Sequence, residues 1–101
     1  MNKLLNFSEI EYKDFFLGTA LRRLGYIRFM RNVLIAVANS GDISLVIDVK
    51  KKLNNKNELI KAMAVWALFC LNKKEFNSEK EKRYKTETSV LVKKEWMNRE
   101  N

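Results

Sequence analysis

No proline occurs anywhere in the 101 residues, and only three glycines do, at positions 18, 25 and 41. A turn-rich all-β chain draws on both residue types for its tight turns. Their scarcity points to helices, and the three glycines mark where helices stop. The chain is long enough for one domain with one core. With 47% hydrophobic residues it has a globular composition rather than a disordered one.

Several chemistries are hard to build from these residues. There is no His, so Ser-His and Cys-His catalysis and His-bearing zinc sites are excluded. The single cysteine, Cys70, allows no internal disulfide, no four-cysteine zinc site and no iron–sulfur cluster within the chain. The three glycines are too dispersed for a phosphate-cradling loop. Catalysis by this chain alone is not expected. The N-terminal residues lack the long apolar core of a signal peptide. The longest apolar run, Ala62 to Leu71, falls well short of the roughly 20 residues of a membrane-spanning helix. These features predict a cytoplasmic protein.

Ser8-Glu9-Ile10-Glu11 has the pattern of a capping box and opens a first helix over about 9–17. Ile10, Tyr12, Phe15, Phe16 and Leu17 supply its apolar surface, and Gly18 suits a left-handed terminus. A second helix over about 26–39 places Phe29, Met30, Val33, Leu34, Val37 and Ala38 on one face. Ile35 and Ala36 widen that face, which predicts a central position. Gly41 can take positive φ and Asp42 can cap the next helix.

A third helix over about 43–53 points Ile43, Val46, Ile47 and Val49 inward. Its β-branched run also fits a strand, but a lone strand lacks a partner. A fourth helix over about 58–71 carries an inward stripe of Ile60, Met63, Ala64, Ala67, Leu68 and Leu71, extended by Trp66 and Phe69. Cys70 falls in this run as a buried small hydrophobe. Ser78-Glu79-Lys80-Glu81 repeats the capping pattern and predicts a fifth helix reaching Met97. The expected organisation is a single domain, 1–101, of about five helices. It comprises an N-terminal helix and basic turn (1–25), two antiparallel pairs (26–53 and 58–97) and a frayed tail (98–101). The spacing of the pairs, on the order of 30–40 residues, suits a helical repeat, with a plain bundle as the rival.

The formal net charge is +8, from 20 basic and 12 acidic residues. Residues 18–31 hold Arg22, Arg23, Arg28 and Arg31 and no acid. Arginine forks bind phosphate through paired hydrogen bonds, with an affinity that depends on salt and does not read sequence. Tyr26 and Phe29 lie among them and can stack on an unpaired base, although Phe29 sits on the apolar face and reads as core. Arg31 can equally pair with an acid such as Asp14 or Asp48, and Asn32 and Asn39 can serve structural hydrogen bonds. Lys50, Lys51 and Lys52 form a cation cluster that complements a helix C-terminus, and Lys61 lies at the start of the fourth helix. The remaining charged stretch, 73–85, mixes both signs and reads as solvated surface.

The run Phe15-Phe16-Leu17-Gly18-Thr19-Ala20-Leu21-Arg22-Arg23 is followed by Arg28-Phe29-Met30-Arg31-Asn32-Val33. Then come Ala36-Val37-Ala38-Asn39-Ser40-Gly41-Asp42 and Ala64-Val65-Trp66-Ala67-Leu68. In that order they resemble the C-terminal portion of the epoxyqueuosine reductases over roughly residues 4–71. Ala38 stands where that family's pattern has glycine. The resemblance implies an all-α fold of HEAT-like antiparallel helix pairs, an α-α superhelix. It also implies a part in reducing epoxyqueuosine to queuosine at the tRNA wobble position. The implied partner is the tRNA anticodon stem-loop, contacted by Arg22, Arg23, Arg28, Arg31, Lys50, Lys51, Lys52 and Lys61, with no membrane partner.

The family's cobalamin and two four-iron–four-sulfur clusters belong to a part preceding this portion. The resemblance therefore implies a detached C-terminal domain whose catalytic part is supplied elsewhere, for instance as a separate subunit. Met1, shortly before the matching region, favours a separate reading frame. The alternatives are a HEAT-like protein–protein interaction module, or an inactive remnant exposing Leu4, Leu5 and Phe7.

Overall fold

The computed structural model describes residues 2–19 and 25–98. Within them are seven α-helices and no strand: α1 (Asn2–Leu5), α2 (Glu9–Phe15), α3 (Tyr26–Ser40), α4 (Val46–Lys52), α5 (Glu58–Leu71), α6 (Lys73–Arg83) and α7 (Val90–Asn98). Single 3₁₀ turns, Ile43–Leu45 and Tyr84–Thr86, lead into α4 and out of α6. The fold is all-α, and the strand alternative for 43–49 is not adopted.

The punctuation follows the sequence closely at the front of the chain. Ser8 caps α2 in a reciprocal box: the Glu11 N–H donates to Ser8 Oγ at 3.2 Å and the Ser8 N–H donates to Glu11 Oε1 at 3.0 Å. Gly41 closes α3 at φ 68°, a left-handed position that glycine takes without cost. Asp42 then accepts from the Ser44 N–H at 3.0 Å.

The centre of the molecule is α5 rather than α3. It packs against α3, α4, α6 and α7, and its Ile60, Ala62, Ala64, Val65, Ala67, Leu68 and Leu71 are buried. Small residues on several sides let four helices approach, a pattern that reads from sequence only as a long apolar run. The inward stripe of α3 is as expected, with Phe29, Met30, Val33, Leu34, Val37 and Ala38 all buried. Its opposite stripe, including Arg28, Arg31, Asn32, Ala36 and Asn39, faces solvent.

The predicted fifth helix is two helices. Asn72 ends α5 and caps α6, accepting from the Glu75 N–H at 3.1 Å, so Ser78 lies inside a helix rather than before one. Phe76 drives this earlier start. It is buried between Phe69 and Trp96, each at 5.2 Å between ring centroids. The chain breaks after Thr86 because Glu87 turns inward. Ser89 starts α7, its Oγ accepting from the Val92 N–H at 3.3 Å.

Other expectations are corrected at side-chain level. Leu5 and Phe7 are buried and Leu4 is half-buried against the core, so they offer no abandoned surface. On α2 it is Tyr12 that is buried, while Ile10 and Phe15, and Leu17 in the turn after the helix, are exposed. Of the third apolar set, Val46 and Val49 are buried but Ile43 and Ile47 face outward. Trp66 packs half-buried against the core as expected, whereas Cys70 is exposed.

Candidate functional site

The turn between α1 and α2, the start of α3, the end of α4 and the loop before α5 meet around an open groove of about 440 Å³. Its walls include Ser8, Tyr26, Ile27, Lys52, Asn55 and Lys56. Local hydrogen bonds hold each wall. The Tyr26 hydroxyl donates to the Phe7 carbonyl at 2.6 Å. Behind it Phe7, Tyr12, Phe16 and Phe29 pack edge and face, with Tyr12 and Phe29 centroids 4.8 Å apart. On the far wall Asn55 Oδ1 accepts from the Asn57 N–H at 2.8 Å, and Asn57 Oδ1 caps α5 through Leu59 and Ile60. Burial raises the Tyr26 phenol above its ordinary pKa, with Glu9 and Glu11 adding to the effect.

Two groups of basic residues stand out. Arg28 and Arg31 stand one turn apart on the exposed stripe of α3, and neither has an acidic partner among the described residues. Arg31 pairs with neither Asp14 nor Asp48. Asp48 instead accepts from Asn6 Nδ2 at 3.0 Å and faces Lys51 Nζ at 3.6 Å. Asn32 and Asn39 are likewise exposed and make no inter-helix hydrogen bond among the described residues. Lys52 is half-buried at the groove with no carboxylate paired to it. Burial lowers its ammonium pKa, and the charge of Glu11 opposes that shift in part. Lys56, to which no sequence motif draws attention, is exposed on the same groove. Arg22 and Arg23 lie outside the described residues.

The second group is turned to internal use. Lys50 reaches Glu75 at 3.2 Å and Glu79 at 3.6 Å, tying α4 to α6. Glu79, 4% exposed, also accepts from Arg83 Nε at 2.7 Å, and Arg83 Nη1 donates to Asn54 Oδ1 at 2.9 Å. Burial alone would raise the Glu79 pKa, but Arg83, Lys50 and Lys82 outweigh it and hold the carboxyl below its ordinary value. Lys61 bridges to the buried Glu87 at 2.8 Å. Burial opposes ionisation of Glu87 too, and Lys61 together with the Ser89 and Thr88 N–H groups overcomes it. Glu79, Glu87 and Arg83 carry most of this network. Their only sequence signal is a mixed charge run that resembles ordinary surface.

Among the described residues no cluster of three or more His, Cys, Asp or Glu side chains is placed to hold a metal ion. One cysteine cannot supply the thiolates of a four-iron–four-sulfur cluster, so such a group does not fit this chain. No described helix is long and apolar enough to cross a membrane. What the surface offers is cations, amides and an aromatic wall.

Fold and surface together define an all-α chain with many open basic side chains, among them those of the α3 face and of the groove. No family model matches the chain, and no solved structure matches it. Three curated relatives do, and all are epoxyqueuosine reductases. The chain is 35% identical to the one from Francisella cf. novicida (strain Fx1) over 69 residues, which is 65% of the chain and 19% of the relative. It is 34% identical to that of Shewanella oneidensis over 68 residues, 64% of the chain and 17% of the relative. It is 29% identical to that of Salmonella typhimurium over 66 residues, 65% and 17% respectively. The chain therefore resembles one segment of epoxyqueuosine reductase, and it spans less than a fifth of the length of these relatives.

Proposed function

We propose that this chain is the tRNA-positioning portion of an epoxyqueuosine reductase. In this reading it holds the anticodon stem-loop by its backbone while a separate catalytic part carries the cofactors and performs the reduction in the cytoplasm. The observation that carries the reading is a set of open cations on α3 and on the groove at its start. Arg28, Arg31, Lys52 and Lys56 are left without carboxylate partners on a chain that resembles a segment of these enzymes. Arg22 and Arg23 precede them directly in sequence. Lys51 contributes charge from an exposed position. Lys50 and Lys61 are already engaged with Glu75, Glu79 and Glu87 and serve stability first.

A HEAT-like arrangement fits this role. The midpoints of α3 and α5 lie roughly 30 residues apart, within the span of helical repeats in general and shorter than a typical HEAT repeat, and the two helices pack side by side. A rival reading, a protein-interaction module, draws on Ile43 and Ile47, which lie one turn apart and face solvent.

Titration of the chain into a labelled anticodon stem-loop, beside a duplex RNA of equal length and at two salt concentrations, tests the proposal. Preference for the stem-loop, weakening steeply with salt, is the expected result. Arg28→Ala/Arg31→Ala should weaken it at least about fivefold with no change in melting temperature. Equal affinity for both RNAs, or none near physiological salt, overturns the reading. Salt-insensitive capture of a protein partner that is lost in Ile43→Ser/Ile47→Ser favours the rival.

A further inference from the structure

We infer that the groove between Ser8, Tyr26, Lys52 and Lys56 seats one unpaired nucleotide of the bound RNA, its phosphate on the two lysines and its base against Tyr26 and Ile27. This rests on the RNA-binding reading above and assigns that reading a specific pocket.

The first support is the state of Lys52. Taking an ammonium partly out of water carries a cost that proteins normally offset with a carboxylate. Several other half-buried cations follow that rule: Lys50 has Glu75 and Glu79, Lys61 has Glu87 and Arg83 has Glu79, while Lys93 lies over the Tyr84 ring instead. Lys52 is half-buried with no carboxylate in salt-bridge contact, Glu11 acting on it only from beyond that range, and Lys56 opens onto the same space. Glu9 also lines the groove, but Lys13 faces it at 3.6 Å and offsets its charge. Two cations without a paired acid at the edge of a cavity suit an anion.

The second support is shape and lining. At about 440 Å³ the groove lies in the roughly 300–1,000 Å³ range of small-ligand sites. The Tyr26 ring forms one wall and is fixed by its hydroxyl bond to Phe7, so it loses little freedom on stacking. Asn55 and Asn57 use their carbonyl oxygens locally and keep their NH₂ groups for base edges. The first turn of α5 is not the anion site, because Asn57 already satisfies the N–H groups of Leu59 and Ile60. An unpaired nucleotide needs this combination of a cation, a flat apolar wall and amide donors.

The test uses the full chain with two stem-loop RNAs of the same stem, one with an intact loop and one whose loop sugars carry no bases. Wild type should bind the intact loop about tenfold more tightly, and Tyr26→Leu should erase that difference. Lys52→Gln/Lys56→Gln changes only groove-edge side chains and guards against misfolding of the Tyr26 variant. It should lower the slope of log affinity against log salt by more than about one. Equal binding of both RNAs by wild type overturns the groove assignment. So does an unchanged salt slope in the lysine variant while Arg28→Ala/Arg31→Ala still weakens binding, and in that case the RNA-binding reading survives. Tighter binding of an acidic peptide than of either RNA, abolished by Lys52→Gln/Lys56→Gln, assigns the groove to protein and overturns the inference. No RNA binding by wild type overturns both.

Discussion

Replacing Glu79 by glutamine isolates the worth of the buried charge between α4 and α6. The carboxylate accepts from Arg83 Nε at 2.7 Å, and Lys50 and Lys82 each lie 3.6 Å away. A hydrogen bond between ionised partners contributes about 1.5–3 kcal/mol. Glutamine keeps an acceptor toward Arg83, and the arginine is partly wet, so some of this is recovered. Lys82 is largely exposed and contributes at most a few tenths of a kcal/mol. The net cost is about 1.5 kcal/mol, which lowers the melting temperature of a domain this size by about 6–12 °C. Glu75→Gln, at a more exposed site also facing Lys50, should cost well under about 1 kcal/mol.

The pH dependence follows from the sign of the shift at Glu79. Its folded pKa is lowered relative to the unfolded chain. The stability it contributes is therefore present above the ordinary glutamate range and is lost as pH falls through the lower folded value. Thermal melts at pH 7 and pH 3 should show a wide gap between wild type and Glu79→Gln that narrows in acid. A gap under about 2 °C at pH 7, or one undiminished at pH 3, would refute the reasoning.

Two further outcomes are expected. Asn57→Ala removes the acceptor for the Leu59 and Ile60 N–H groups at the head of the central helix, and should cost about 1 kcal/mol in urea unfolding with an unchanged m-value. Lys61→Gln leaves the buried Glu87 without its cation. It should lower stability by about 1–3 kcal/mol while stem-loop affinity stays within about twofold, and a selective loss of RNA binding would restore Lys61 to the interface.

Fold class and most helix boundaries were legible because local chemistry sets them. Ser8 with Glu11, Gly41 with Asp42, and the six-residue stripe of α3 each act within a turn or two, and each is seen as the sequence implies. The back half misled for the converse reason. Ser78 carries as good a capping pattern as Ser8, but Phe76, two residues earlier, is buried between Phe69 and Trp96. Burial of an aromatic side chain is worth about 1.5–3 kcal/mol and outweighs a cap worth about 1 kcal/mol. The helix therefore starts at Lys73 with Asn72 as its cap. Ile43 and Ile47 show the same limit: the helix period was right, but α5 covers only the Val46–Val49 side of α4.

The basic site shows where a one-dimensional reading stops. Lys50, Lys51 and Lys52 are consecutive and chemically identical, and as a cluster they complement one helix terminus. Helical geometry sends them about 100° apart, and each direction meets a different neighbour. Lys50 meets two glutamates on α6, Lys51 leans back on Asp48 across one turn, and Lys52 enters a groove with no carboxylate paired to it. Composition counts three charges where the fold leaves one half-buried and without a paired acid. The acids that hold Lys50 and Arg83 are Glu75 and Glu79, inside the 73–85 stretch that reads as solvated surface, and the one that holds Lys61 is Glu87, just beyond it. Which of these cations stay open is therefore set less by their place in the sequence than by which acids the fold brings beside them.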